Sequence, residues 1–282
     1  MRHLICLALA ACCLTSPAFA QSEPTAGALP SPAEVASRNS VTVGVGSAVV
    51  PDYEGSDDYR AIPAAAIRGK VSGISFSTRG TYLYVDVIPA GSGKVEFDAG
   101  PIAGFRVNKR RHIKDDIVEL LPKTKTAFEV GGFAGVSLHG LTNPYDTLAF
   151  RLDVTHALNA YKGTNFAPNI EFSTPLSRTT YAGLSVGAEF VGNKYADYYY
   201  TVTPADSLAS GLPVFNADGG MKNWKAGLLL NQSITGDLLH GFSVFGAAQY
   251  SRLVGDFKRA PIVSDRGSAN QWVGAIGLAY TW

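Results

Sequence analysis

Side chains able to do acid–base or nucleophilic chemistry are sparse in this sequence. Beyond residue 20 the histidines are His112, His139, His156 and His240. Ser137 and His139 share one parity of an extended segment, but a hydrolytic triad needs a base beside its nucleophile and a third group to orient it. No G-x-S-x-G elbow occurs. His156 interrupts an apolar parity, and His240 stands at a strand end. The acidic group Asp52, Glu54, Asp57 and Asp58 offers oxygen ligands of the kind calcium takes, without the spacing of a calcium-hand loop. It reads as a solvated loop in which Gly55 supplies a permissive backbone angle. The sequence thus assigns no catalytic residues, metal site or cofactor. Lys109-Arg110-Arg111-His112, followed by Lys114, is either a solvated loop or a contact for lipopolysaccharide phosphates through charge-assisted hydrogen bonds. Tyr195, Tyr198, Tyr199 and Tyr200 suit an aromatic girdle or a group folded into a barrel mouth.

A larger set of charges follows a period of two. Glu96, Asp98, Arg106, Glu129, Arg151, Asp153, Glu171 and Glu189 each stand on the parity opposite a row of apolar residues. In the segment 148–158, Leu148, Phe150, Leu152, Val154 and Leu158 share one face, and Arg151, Asp153 and Thr155 the other. Alternation puts one set on each side of a strand. Charges inside and apolar residues outside describe a sheet with a wet interior and lipid around it. The eight charged residues are expected to line the lumen. There they either set the ion preference of a narrow channel or interlock and fill it.

The elements that must position them are strands. The final stretch places Trp272, Ile276, Leu278, Tyr280 and Trp282 on one parity and small residues on the other. An edge strand of that kind needs pairing, which closure into a barrel provides. These five residues are expected to serve as the C-terminal signal for the barrel-assembly machinery. Apolar–polar alternation marks twelve segments: 41–49, 60–68, 71–78, 81–88, 94–107, 126–138, 148–158, 164–174, 180–191, 224–234, the stretch carrying Phe242 to Tyr250, and 272–282. Gly69-Lys70 reads as the turn after the second. The fold class is all-β, a closed antiparallel transmembrane β-barrel of twelve strands; ten is the alternative if 71–78 and 81–88 stay out of the membrane. With the first strand running outward, the long loops 108–125, 192–220 and 252–269 all fall on the extracellular side, and both termini are periplasmic.

The remaining sequence sets the compartment. Arg2, the apolar run Leu4 to Leu14 and Ala18-Phe19-Ala20 make residues 1–20 a signal peptide. Residues 21–39, rich in Pro, Ser, Ala and Glu, form a flexible periplasmic segment, and 40–282 the barrel. All three cysteines, Cys6, Cys12 and Cys13, fall in the signal, so no disulfide framework is expected beyond it. Removing Arg2 with the signal leaves 23 basic and 23 acidic groups, from 24 and 23. A balanced charge argues against nucleic-acid binding. The location expected is the outer membrane of a Gram-negative cell, among its lipids and lipopolysaccharide.

Pro51-Asp52-Tyr53-Glu54-Gly55-Ser56-Asp57-Asp58-Tyr59-Arg60 resembles the opening signature of the MipA/OmpV family of bacterial outer-membrane proteins. Gly100-Pro101 with Phe105-Arg106 is similar to a further block. So is Tyr250-Ser251-Arg252-Leu253-Val254-Gly255-Asp256 with Pro261-Ile262-Val263, although Phe257, Lys258 and Arg259 depart from the small residues usual there. The resemblance implies a non-enzymatic scaffold that joins a periplasmic murein transglycosylase to a peptidoglycan synthase, and it carries no catalytic residues. A narrow diffusion or ligand-specific uptake channel is the second reading. A lipid or lipopolysaccharide hydrolase is the third.

Overall fold

The computed structural model describes residues 38–89, 91, 93–108 and 110–282. The expected signal peptide and nearly all of the N-terminal segment lie outside them. Twelve antiparallel strands close into one barrel. They are β1 (Ser40–Pro51), β2 (Tyr59–Val71), β3 (Ile74–Arg79), β4 (Tyr82–Asp86), β5 (Val95–Arg106), β6 (Ala127–His139), β7 (Thr147–Ala157), β8 (Thr164–Pro175), β9 (Thr180–Val191), β10 (Gly220–Ser233), β11 (Gly241–Leu253) and β12 (Asn270–Thr281). Every strand pairs with its sequence neighbours, and β1 closes on β12 from Thr42↔Thr281 to Val49↔Gly274. The hairpin β3–β4 is part of the wall, so the ten-strand alternative falls.

Alternation places the strands' apolar parity outside. Val45, Phe97, Phe128, Leu184, Val186, Leu228, Ile276 and Leu278 are all exposed. A belt of that extent around a closed barrel is matched by lipid, and closure leaves few backbone groups unpaired there. Among the described residues no helix is long and apolar enough to cross a membrane; the strands cross. On the inner face of β12 and β1 the residues are small because the ring of Phe245 on β11 occupies their space. A Cβ at Gly277 would lie 2.6 Å from Phe245 Cζ, and one at Gly44 would lie 3.0 Å from Phe245 Cε1.

Two expectations shift. The turn after β2 is Ser72-Gly73 rather than Gly69-Lys70. A two-residue hairpin of this kind needs positive φ at both central positions, and Ser72 (52°) and Gly73 (87°) supply it. β10 begins at Gly220 rather than near Trp224, and its register against β9 slips between Met221 and Asn223.

The connections sort by end. The meander puts 52–58, 80–81, 107–126, 158–163, 192–219 and 254–269 at one end. The turns 72–73, 87–94, 140–146, 176–179 and 234–240 lie at the other. The long connections fold on one another. They carry α1 (Asp116–Glu119), α2 (Asn193–Tyr200), α3 (Pro204–Ser210), α4 (Gly255–Arg259) and α5 (Pro261–Ser264). α3 opens on a capping box, with Thr203 and Asp206 each bonding the other's backbone N–H. Tyr53, Val118, Leu121, Tyr161, Tyr195, Tyr199, Phe257 and Ile262 belong to one buried cluster. Those residues come from five of the six connections at this end, so the cluster lies across the mouth as a cap.

Candidate functional site

The first connection shows why the cap is ordered. Tyr53 donates its hydroxyl to the carbonyls of Ile262 (3.0 Å) and Arg266 (3.2 Å). Asp52 accepts the Lys114 N–H at 3.0 Å, and the Glu54 N–H donates to Asn108 Oδ1 at 3.1 Å. Gln271 takes the Gly55 N–H and donates to the Ser56 carbonyl. Gly55 has φ +103°, and a Cβ there would sit 2.4 Å from Val263 Cγ2. Asp52, Tyr53 and Ser56 are buried while Asp57 is exposed. The loop expected to be solvated is therefore core, because its backbone is bonded to connections from other strands. Pro51, the first residue of that signature, ends β1.

The basic run departs from expectation in the same way. Arg110 is 4% exposed and donates to the Tyr199 carbonyl. Burial holds its guanidinium below the usual range. Arg111, His112 and Lys114 are exposed, and Lys109 lies outside the described residues. Tyr195, Tyr199 and Tyr200 are buried in the cap rather than set in a girdle, and their rings pack on one another and on Phe257. Burial raises these phenols well above their ordinary range, so each stays protonated.

Beneath the cap the inner charges meet in levels. At the uppermost, Arg106 of β5 bonds Glu129 of β6 (2.9 Å) and Glu189 of β9 (2.8 Å). Lys222 of β10 bonds Glu189 (2.8 Å) and Glu54 of the first connection (2.5 Å). The Tyr195 hydroxyl donates to Glu54 at 2.5 Å, and its ring stands 5.3 Å from the Arg106 guanidinium and 5.0 Å from Lys222 Nζ. Tyr161 and Thr155 donate to Glu129 at 2.7 Å and 3.0 Å. Two cations thus stand among three carboxylates, each held by a partner, which is the condition for keeping buried charge.

The middle level joins Arg79 of β3 to Glu171 of β8 at 2.9 Å. Arg151 bonds Asp153 at 2.9 Å, and the Tyr84 hydroxyl donates to Asp153 at 2.9 Å. The pairs Arg79–Glu171 and Arg106–Glu189 link strands that are not neighbours, so they cross the interior. Nearest the short turns, Ser137 donates to Asp98 (2.7 Å), and His139 bonds Glu96 and Thr147, each at 3.0 Å. Ser137 and His139 make no bond to each other, and the serine–imidazole pairing is not formed. His156 is exposed on β7 and bonds Thr164, and His240 lies in the last short turn.

All eight charged residues singled out by alternation take part in these bonds. The sequence reading missed Lys222, Arg79, Tyr84 and Tyr161, and it set Glu54 in a solvated loop. Strict alternation from Trp224 would put Lys222 in lipid; the register slip turns it inward beside Asn223. A cation on a lipid-facing parity is costly, and that cost is the signal that would have flagged the bulge. Trp272, Ile276, Leu278 and Trp282 stand exposed on the outer face, and Tyr280 packs on Trp282 beside them.

The arrangement holds charge in place, and the His139 imidazole is engaged by Glu96 and Thr147 rather than by Ser137. A family profile described as MltA-interacting protein MipA matches residues 43–282. Two curated relatives, each called MltA-interacting protein, come from Escherichia coli strain K12 and from Shigella flexneri. Each is 31% identical over 111 residues, covering 38% of this chain and 41% of the relative. The matched stretch therefore spans about two fifths of those relatives' length. Among solved structures, the CymD monoaromatic hydrocarbon channel superposes with a TM-score of 0.39 at 9% identity, covering 89% of this chain and 91% of that one. The outer membrane protein OprD from Pseudomonas aeruginosa gives 0.36 at 10% identity, covering 86% and 65%.

Proposed function

Because the chain belongs to the MltA-interacting protein MipA family, we propose that this outer-membrane barrel is a non-enzymatic scaffold for peptidoglycan-remodelling enzymes. Its partners on this reading are a periplasmic murein transglycosylase and a peptidoglycan synthase. The long connections face outward, and the short turns and both termini face the periplasm. The relatives' name, MltA-interacting protein, supports the transglycosylase as partner. The observation that carries the scaffold over a channel is the crossing of the interior by fixed ion pairs, Arg79–Glu171 and Arg106–Glu189, beneath a folded cap. A conduit would hold its charges apart to pass a solute; here they neutralise one another across the diameter.

The turn 140–146 is the surface suited to a partner. Asp146 accepts the N–H groups of Leu141, Thr142 and Asn143 and the Thr142 hydroxyl. This fixes the turn while Leu141 stays exposed. A preorganised turn with an apolar tip loses little entropy on docking.

The test pairs a measurement on the refolded barrel with one in cells. In a planar bilayer it should conduct poorly. A photo-crosslinker at Leu141 should capture a murein transglycosylase in cells. Steady conductance whose selectivity shifts on neutralising Arg151 or Glu171, with no capture from the turn, would replace the scaffold with a channel.

A further inference from the structure

The wall of the barrel is incomplete beside β2. Its ladder with β1 runs the whole strand, from Ser40↔Lys70 to Pro51↔Tyr59. Its ladder with β3 covers only Arg68↔Ser77 to Val71↔Ile74. It stops where Thr78 presents its hydroxyl instead of its backbone: Thr78 Oγ1 accepts the Ile67 N–H at 2.9 Å and donates to the Ile67 carbonyl at 3.3 Å. Beyond that point Ala61, Pro63 and Ala65 aim their backbone groups at the same edge as Ile67, because alternate residues of an antiparallel strand bond to the same side. Among the described residues no hydrogen bond reaches that edge at these three positions.

The gap has a complete frame. Below it lies the β3–β4 turn, tied to β5 by Phe105 N–H to the Thr81 carbonyl (3.4 Å) and by the Thr81 hydroxyl to the Phe105 carbonyl. Above it the β1–β2 and β5–β6 connections are joined by Glu54 to Asn108, Lys114 to Asp52, and Lys114 Nζ to the Tyr59 carbonyl (3.0 Å). The outward side chains on the β2 side are Ala61, Pro63 and Ala65, all exposed and too small to cover it. Ile62, Ala64 and Ala66 point inward behind it, and Ile62 and Ala66 remain exposed to the interior. Among the described residues the buried Tyr82 hydroxyl and Arg60 Nε have no hydrogen-bond partner, and Arg60 Nε stands 3.9 Å from Asp52 Oδ1.

Open strand edges are not tolerated against hydrocarbon unless they border a wet cavity. Addition of a further strand fits poorly, since Pro63 has no N–H at the middle of the edge. We propose that the gap is a lateral portal through which a small single-chain amphiphile passes between the surrounding lipid and the barrel interior. Its apolar part slides past Ala61, Ala65, Ile62 and Ala66, and its hydrogen-bonding head meets the free backbone groups, Tyr82 and Arg60. The cap closes the axial route at the same end, so this opening gives the interior its access from that half of the bilayer. The inference is independent of which enzyme the barrel recruits.

The sequence beyond residue 20 contains no cysteine, so single thiols can be read cleanly. Ala64→Cys and, as an inward control on the opposite wall, Ser185→Cys are reconstituted in vesicles. A heat-modifiable gel shift verifies that each is folded. A maleimide confined to the acyl phase should label Ala64→Cys about tenfold faster than Ser185→Cys, since thiol reaction follows access. Adding Ala66→Trp should slow that labelling, while a water-soluble maleimide should show no such preference. Equal labelling by the lipophilic reagent overturns the portal, as does failure to label either site. Protection of Ala64→Cys in a dimer would instead assign the edge to a second copy, and would equally overturn it.

Discussion

Lys222 and Glu54 stand 168 residues apart in the chain and 2.5 Å apart in space. The bond ties the cap to the wall, because Glu54 belongs to the first connection and Lys222 to β10. Lys222 also holds Glu189, which holds Arg106, which holds Glu129. A single cation therefore links the cap to a network that crosses the barrel.

Lys222→Met keeps the side-chain volume and removes the charge. Breaking a buried pair from one side typically costs about 3–5 kcal/mol, because the partner is left charged and alone. Denaturant titration of the barrel in vesicles should show a loss of that order. Adding Glu54→Gln to Lys222→Met should recover part of it, as coupled residues are non-additive. If the double variant loses the simple sum of the single losses, the two residues are not coupled.

Gly55→Ala tests the cap without touching charge. The residue would be held at φ +103° with its Cβ against Val263. Strained backbone of this kind costs about 1–3 kcal/mol. Limited proteolysis should cut the connections 107–126 and 254–269 faster in the variant while the strands stay intact. Unchanged cleavage would mean that the first connection does not organise the cap.

The pH dependence of the turn 140–146 follows from Asp146. Hydrogen bonds from Thr142 and from the backbone lower its carboxyl from 3.8 to about 2. A depressed carboxyl contributes stability above its unfolded value, and that contribution is lost as pH falls through the folded value. Amide protection at Leu141, Thr142 and Asn143 should therefore hold above about pH 4 and decay toward pH 2. Asp146→Asn should remove the pH step. Protection that declines instead between pH 7 and 5 would point to another group.

The interior pair Arg79–Glu171 bears on conduction. Its side chains are 38% and 30% exposed, so it contributes little to stability, and Arg79→Ala should leave the unfolding midpoint nearly unchanged. The same change removes a strut across the lumen, and single-channel conductance should rise above that of the parent. A parent that already conducts as freely as Arg79→Ala would show that the pair does not obstruct the interior.

Alternation was legible from the sequence wherever one face meets lipid. Phe150, Leu152, Arg151 and Asp153 announce their sides because a period of two leaves no freedom once one face is apolar. Strand number, the sorting of long and short connections and the inner charged parity all followed from that rule. The hairpin turn was misplaced by three residues because Gly69 looks like a turn glycine, whereas φ at Ser72 and Gly73 decides.

The long connections were not legible in the same way. Asp52, Tyr53, Glu54 and Arg110 carry polar side chains in segments without periodicity, which read as solvated. Their placement depends on partners more than fifty residues away, among them Lys114, Ile262, Lys222 and Tyr199. Lys222 changes sides through a slip in register that alternation cannot express.

The sequence by itself determined which face of most strands meets lipid, because hydrocarbon penalises an exposed charge locally, residue by residue. Only the tertiary structure decided which charges meet, that the loops close into a cap, and that β3 parts from β2 at Thr78. Those outcomes depend on shear, closure and distant contacts, and no local stretch of the chain encodes them.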